Sequence, residues 1–221
     1  MGLTQISIDG PTASGKSTLG RWLADHLLLP FLDTGWTYRA VALGAGRLGR
    51  RPNSDDVEEI LHSLRHQPYV PGISQPYIEL GKTRVWEEIW TERCNGVLPW
   101  ISDAPEIRHL ILDFHRAAIE ANSFIVAGRD VASTLLLDAR PKIFLEASYA
   151  IRRERRRRQI EQGGLGTPVA GPRSKTDLES RQKIAQDPAG LILDTTSMSI
   201  DQVQEEVGRY LERGIDAIQR R

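Results

Sequence analysis

The chain has 221 residues, with 29 Lys plus Arg and 29 Asp plus Glu, so its formal net charge is zero. That balance excludes a general attraction to nucleic acid or to an anionic membrane, while leaving room for a local basic site. The one cysteine, Cys94, excludes an intrachain disulfide and fits a reducing compartment.

Ile6-Ser7-Ile8 predicts a strand, and Leu19 to Leu28 predicts a helix with Leu19, Trp22, Leu23 and Leu27 at helical spacing. Between them lies Gly10-Pro11-Thr12-Ala13-Ser14-Gly15-Lys16-Ser17-Thr18, which fits the phosphate-loop pattern G-x-x-x-x-G-K-[ST]. Glycines let the backbone curl so that several N–H groups face one phosphate. The following helix adds the positive end of its dipole. Lys16 can reach the terminal phosphates, and the Ser17 hydroxyl can hold Mg²⁺.

Pro30 to Gly35 reads as a short buried strand and turn, followed by a helix from Trp36 or Thr37 to about Leu48. Alternating strands and helices imply a parallel sheet with ligands at the carboxyl ends of its strands. Asp33 and Thr34 sit at such an end; Asp33 could be a water-mediated magnesium group or a helix cap. The alternation breaks from Gly49 to about Trp100. Ser54 to Glu59 reads as a capped helix start, and Tyr77–Leu80 and Thr83–Trp86 as two short strands. Glu87 to about Cys94 reads as a short helix stopped by Asn95-Gly96. This stretch is expected to be a small inserted lobe. Pro105 to about Ala121 is predicted as a long helix, Phe124–Ala127 as a central strand and Lys142–Ala147 as the next one. Ser148 is expected to cap an arginine-rich helix, before a Gly/Pro-rich segment from Gly163 to Pro172. A short helix from Thr176 to about Gln186, a strand Leu191–Asp194 and a closing helix from Ser199 to about Ile218 complete the chain. No apolar run approaches the roughly 20 residues that span a bilayer, and no basic-then-apolar leader precedes the first strand, so a cytoplasmic address is expected.

Six arginines lie between 152 and 158, with Arg152, Arg155 and Arg156 on one helix face. Glu154 offsets only one, so the run calls for a negative partner. Arginines laid over a transferred phosphoryl group stabilise its charge, and the Gly/Pro segment suits a moving lid. A solvated basic face and a nucleic-acid patch are the competing readings; the second lacks interleaved aromatics. Arg39, Arg108 and Arg129 form another group near strand ends or helix starts, suited to an acceptor's single phosphate. Asp130 could orient an acceptor sugar hydroxyl or hold Arg129. The five histidines, at 26, 62, 66, 109 and 115, do not cluster with other ligands, so no zinc site is expected.

Several stretches together resemble the bacterial-type cytidylate kinases, nucleoside monophosphate kinases acting on CMP and dCMP. They are Ile8 to Thr18, Leu32-Asp33-Thr34-Gly35 with Tyr38-Arg39, Pro105-Glu106-Ile107-Arg108, Gly128-Arg129-Asp130, Lys142 to Ser148, Arg152 with Arg155-Arg156, and Leu193 to Thr196 with Ser199-Ile200. The resemblance implies an α/β, three-layer P-loop NTPase fold with a parallel central sheet flanked by helices, as a single domain over 1–221. It also implies an inserted monophosphate-binding lobe at 50–103 and a lid at 158–180. The implied reaction is ATP plus CMP giving ADP plus CDP with Mg²⁺, in a monomer whose partners are small nucleotides. Residues 10 to 18 and Arg155 would hold ATP, with Ser17 on the metal. Lys16, Arg129, Asp130, Arg152 and Arg156 would serve transfer. Asp33, Thr34, Tyr38, Arg39, Arg108, Arg129, Asp130 and Arg181 would hold the acceptor.

The sequence departs from the family at defined places. Ala127 stands where the family has Asp. In the lid, Lys175 and Thr176 replace Arg-Asp, Glu179 replaces Asp, and Gln182 aligns with an Arg, with Arg181 beside it. The base-contacting serine falls near Pro99 or Trp100, and Trp36 and Trp100 are expected to crowd the base. Phosphate-handling parts are intact while base-reading parts are altered. The alternative is a phosphotransferase for a modified nucleotide or a non-nucleotide hydroxyl. The arginines at 39, 108 and 129 oppose a neutral acceptor, which needs no phosphate clamp. A non-enzymatic nucleotide or nucleic-acid binder ranks last.

Overall fold

The computed structural model describes residues 3–219 apart from 121, 170, 172 and 173. Five parallel strands form the central sheet: β1 (Gln5–Asp9), β2 (Phe31–Asp33), β6 (Phe124–Gly128), β7 (Lys142–Glu146) and β8 (Gly190–Asp194), in the order β2-β6-β1-β7-β8. All five residues of β6 and four of five in β1 and β7 are buried, as strands covered on both faces require. One face packs Ile6, Ile8, Ile125 and Leu145 against Leu19 and Leu23 of α1 (Lys16–Leu27) and Val207 of α9 (Ile200–Gln219). The other packs Val126 and Phe124 against Ile119 of α5 (Pro105–Ile119) and Val131 of α6 (Val131–Thr134). Helices on both faces make the expected three layers.

The inserted stretch has its own core. α2 (Thr34–Gly46) and α3 (Ser54–Ser63) join a three-stranded antiparallel sheet, β3 (Leu64–Gln67), β4 (Tyr77–Leu80) and β5 (Thr83–Arg84). A 3-10 turn at Glu88–Trp90 and α4 (Glu92–Ser102) follow. Val41, Val57, Ile78, Ile89, Val97 and Ile101 close one apolar cluster with Ile107 and Ile111 of α5. Between β3 and β4 the chain crosses the edge of the central sheet, where Tyr69 exchanges both backbone hydrogen bonds with Phe31.

Several boundaries differ from expectation. α2 begins at Thr34 because the Asp33 carboxylate accepts from the Gly35 N–H at 3.1 Å and starts the helix two residues early. Asn95-Gly96 does not stop a helix. α4 runs through both and through Pro99, capped by Thr91 and burying Cys94, Val97 and Ile101 against the lobe. Gly costs about 1 kcal/mol in a helix and Pro about 3, and burial of that apolar stripe outweighs them. β3 and α6 carried no recognised signal. The arginine helix α7 (Tyr149–Glu161) is capped by Ser148, and α8 (Lys175–Gln186) by Ser174 in a capping box. Ala121 and Pro172, expected in α5 and in the Gly/Pro segment, lie outside the described residues.

Candidate active site

The phosphate loop is built by backbone conformations that only small residues tolerate. Gly10 has φ +143° and Gly15 +107°, and even Ala13 is left-handed at +62°. A Cβ on Gly10 would lie 2.2 Å from the Leu145 carbonyl oxygen, so the loop is pressed against the end of β7. Lys16 folds back over the loop, its Nζ donating to the Pro11 carbonyl at 2.8 Å. Burial lowers its pKa to about 8, with Asp33 opposing and Arg129 adding to the shift. Ser14 is buried with its hydroxyl pointing at no acceptor, and Ser17 Oγ donates to Asp33 Oδ2 at 2.6 Å. Asp33 thus serves two helices at once, capping α2 with one oxygen and holding the first turn of α1 with the other.

Sequence reasoning passed over Asp9 as a site residue. It is fully buried at the end of β1 and accepts from the N–H groups of Val131 and Ala132 at 2.7 and 2.9 Å. Those amides follow Arg129-Asp130, so Asp9 ties that turn to the phosphate loop. Desolvation raises its pKa to about 7, against the two amide bonds that lower it. A carboxylate ending an apolar strand was the available signal.

The arginines converge from four elements. Arg152 is 2% exposed and donates to the carbonyls of Ala147, Thr12 and Gly171. Arg155 holds Thr195, donating to both its hydroxyl and its carbonyl. Arg156 donates to the Leu165 carbonyl at 3.5 Å. Arg39 of α2 reaches the Ile89 carbonyl, Asn95 Oδ1 and Thr167 Oγ1 at 3.0–3.2 Å. Arg108 of α5 pairs with Asp130 and lies over the Tyr38 ring at 5.7 Å. Arg129 touches Thr12 Oγ1 at 3.3 Å, Ser174 Oγ at 3.1 Å and buried Asp177 at 3.4 Å. Electrostatics join these groups. Arg39 feels Arg129 and Asp33; Arg156 feels Arg39 and Asp33; Asp130, raised by burial, feels Arg108 and then Arg129.

A cavity of about 940 Å³ opens over the loop. Residues 13 to 19 form its floor, Arg155, Arg156 and Thr195 one side, and Trp36 of α2 with Trp86 and Trp90 of the inserted stretch a wall. Trp36 and Trp86 meet edge to face at 4.6 Å. Trp36 lines this cavity, whereas Pro99 and Trp100 do not, and Trp100 is exposed. Thr34 commits its hydroxyl to the Ala127 carbonyl at 3.0 Å. Arg181 is not brought to the group; Glu146 holds it at 2.8 Å. Glu154 accepts from both Arg157 and Arg158, and Arg157 also pairs with Glu161, so the outer half of the run is neutralised more fully than one acid in sequence suggested. Trp86, Trp90, Thr195 and Asp177 were not anticipated.

A curled glycine loop, a lysine folded over it and arginines gathered from several elements define a P-loop phosphotransferase. The chain belongs to the cytidylate kinase family, whose pattern, described as Cytidylate kinase, matches residues 6–213. It is similar to the cytidylate kinase of a Thermotoga species at 34% identity, covering 92% of this chain and 94% of the relative. The Thermotoga neapolitana cytidylate kinase is 33% identical over 96% and 99% of the two chains, and that of Nitrosococcus oceani 32% over 93% and 95%. Among the described residues no helix is long and apolar enough to cross a membrane.

Proposed function

We propose that this enzyme transfers the γ-phosphoryl group of ATP to CMP or dCMP, giving ADP and CDP or dCDP. The observation that carries the reading is the set of cations gathered at the phosphate loop: Lys16 on the Pro11 carbonyl, Arg129 at Thr12 Oγ1, Arg152 on the Thr12 carbonyl and Arg156 on the cavity above it. Such a set neutralises two phosphate chains brought end to end. Loop amides and Lys16 hold the donor's β- and γ-phosphates, with Arg155 and Thr195 beside them. Arg39, Arg129 and the Arg108–Asp130 pair hold the acceptor, whose phosphate oxygen attacks the γ-phosphorus as the bond to the β–γ bridging oxygen breaks. Arg156 faces the charge that spreads over the moving group, and Arg152, donating to the Thr12 carbonyl, braces the loop beneath it. No side-chain nucleophile is required; positioning and charge do the work.

Ser17 Oγ and Asp33 Oδ2, hard oxygens 2.6 Å apart at the loop, are the donor chemistry Mg²⁺ accepts. Ser17 would hold the ion directly, and Asp33 would orient that hydroxyl. The ion supplies further neutralisation of the phosphates when bound. In this reading residues 50–103 are the monophosphate-binding lobe and 158–180 the lid. Rates with ATP, Mg²⁺ and a panel of monophosphates test it. CMP and dCMP are expected to give the highest kcat/KM; no ADP formation with either would overturn it.

A further inference from the structure

Trp90 ends the 3-10 turn of the inserted lobe and reaches the cavity wall. Two guanidinium groups lie over its ring, Arg39 at 4.5 Å and Arg156 at 5.9 Å. They come from different parts of the fold, Arg39 from α2 and Arg156 from α7. Resting on the reaction proposed above, we propose that Trp90 is a positioning residue that holds Arg39 and Arg156 as one charge pair for the phosphates.

The physical problem is the pair itself. Burial disfavours the charge on both arginines, and Arg39 pushes Arg156 further in the same direction. Asp33 opposes that shift on both, but an acid in direct contact with the pair would cancel the positive field and repel an incoming phosphate. An aromatic face attracts a cation through its quadrupole and carries no net charge. It therefore steadies both arginines and leaves their charge available. The remaining contacts agree. Arg39 is fixed by neutral acceptors, the Ile89 carbonyl, Asn95 and Thr167, and Arg156 by the Leu165 carbonyl. Arg156 Nε and the Trp90 indole N–H are buried without an acceptor, so hydrogen bonds alone do not hold this junction.

The test uses the full-length enzyme with ATP and CMP. Trp90→Leu stays apolar but is smaller and removes the quadrupole; Trp90→Phe keeps a smaller one. For Trp90→Leu, kcat/KM for CMP is expected to fall about tenfold, from both a higher KM for CMP and a lower kcat, with a smaller, several-fold rise in KM for ATP. Trp90→Phe is expected to lose about twofold. Combining either change with Arg156→Met should cost less than the product of the single effects. Kinetics like wild type in Trp90→Leu, or an additive cycle, would overturn the role. A purely structural role would lower the melting temperature while leaving the constants of the folded fraction intact. If Trp90→Leu does not fold, the Trp90→Phe and Arg156→Met cycle decides by itself. Calorimetric binding of inorganic pyrophosphate separates this inference from the reaction reading. Absence of CMP turnover by wild type sinks the reaction. Equal pyrophosphate affinity in wild type and Trp90→Leu sinks the role of Trp90, and several-fold weaker binding supports it.

Discussion

The parallel-sheet core and the layer formed by α2 with the stretch that follows it supply the proposed site with different materials. The core presents main chain: a loop curled by Gly10 and Gly15, with Lys16 laid back on the Pro11 carbonyl. The α2 layer presents side chains that other side chains hold, Arg39 by Asn95, Thr167 and Trp90, and Arg108 in α5 beside it by Asp130. A backbone site is specified by residues next to one another in sequence. A side-chain site is specified by partners up to 128 residues apart. The first tolerates change around it; the second changes whenever a partner does.

Substitutions that separate donor from acceptor binding sharpen that contrast. The largest effect is expected from Lys16→Met, which removes the charge over the loop and should lower kcat by about a thousandfold. Its melting temperature should change little, because burial already works against that charge. Single-turnover rates with ATP and CMP check this. Arg39→Ala should raise KM for CMP by about tenfold to a hundredfold and leave KM for ATP within about twofold. Equal effects on both substrates would break the division between the halves.

The two regions should also answer oppositely to acid. Between α2, β3 and α5, Thr37 Oγ1 bridges His66 Nδ1 and His115 Nε2, each at 2.8 Å. Burial holds both imidazoles neutral, with pKa values lowered to about 3. Their contribution to stability is complete above the unfolded value near 6.5 and is lost as pH falls toward 3. Asp9 in the core has the reverse sign. Its folded pKa of about 7 exceeds the unfolded 3.8, so its contribution is complete below 3.8 and is lost as pH rises toward 7. His115→Gln should flatten the loss of melting temperature between pH 6.5 and 4.5, and Asp9→Asn should steepen it. A tenfold difference in proton affinity between the folded and unfolded chain is worth about 1.4 kcal/mol, so slopes of several degrees per pH interval of one are expected. Parallel changes in the two variants would refute the opposition.

These differences also explain what was legible in the sequence. The strand, loop and helix around Gly10 to Thr18 could be read because local spacing determines them. The alternation of strands and helices gave the parallel sheet for the same reason. α4 was misread because Gly96 and Pro99 carry strong local signals, and only burial of Cys94, Val97 and Ile101 shows why a helix persists. Trp90 and Trp86 gave no pattern, since their place on the cavity wall depends on how the lobe folds onto the loop. The arginines at 152, 155 and 156 were found by helical spacing. That Arg152 would be buried among carbonyls was not, because those carbonyls come from Thr12, Ala147 and Gly171.

Arg181 should produce the smallest effect and bears on how far the acceptor site extends. Resemblance placed it with the acceptor group, yet its guanidinium lies on Glu146, at 2.8 Å from Nε and 3.3 Å from Nη2. Its side chain is 38% exposed, and a half-exposed pair contributes about 1 kcal/mol or less. Arg181→Gln should therefore keep kcat/KM for CMP within about threefold and lower the melting temperature by about two degrees. Its neighbour on the same helix behaves differently. Asp177 is 1% exposed, caps α8 through the Ser174 N–H and faces Arg129, so Asp177→Asn should disturb the acceptor side more strongly. A tenfold rise in KM for CMP in Arg181→Gln would reverse this ranking. It would mean that Arg181 leaves Glu146 when the acceptor binds, and that the whole of α8, not its first turn alone, moves with the lid.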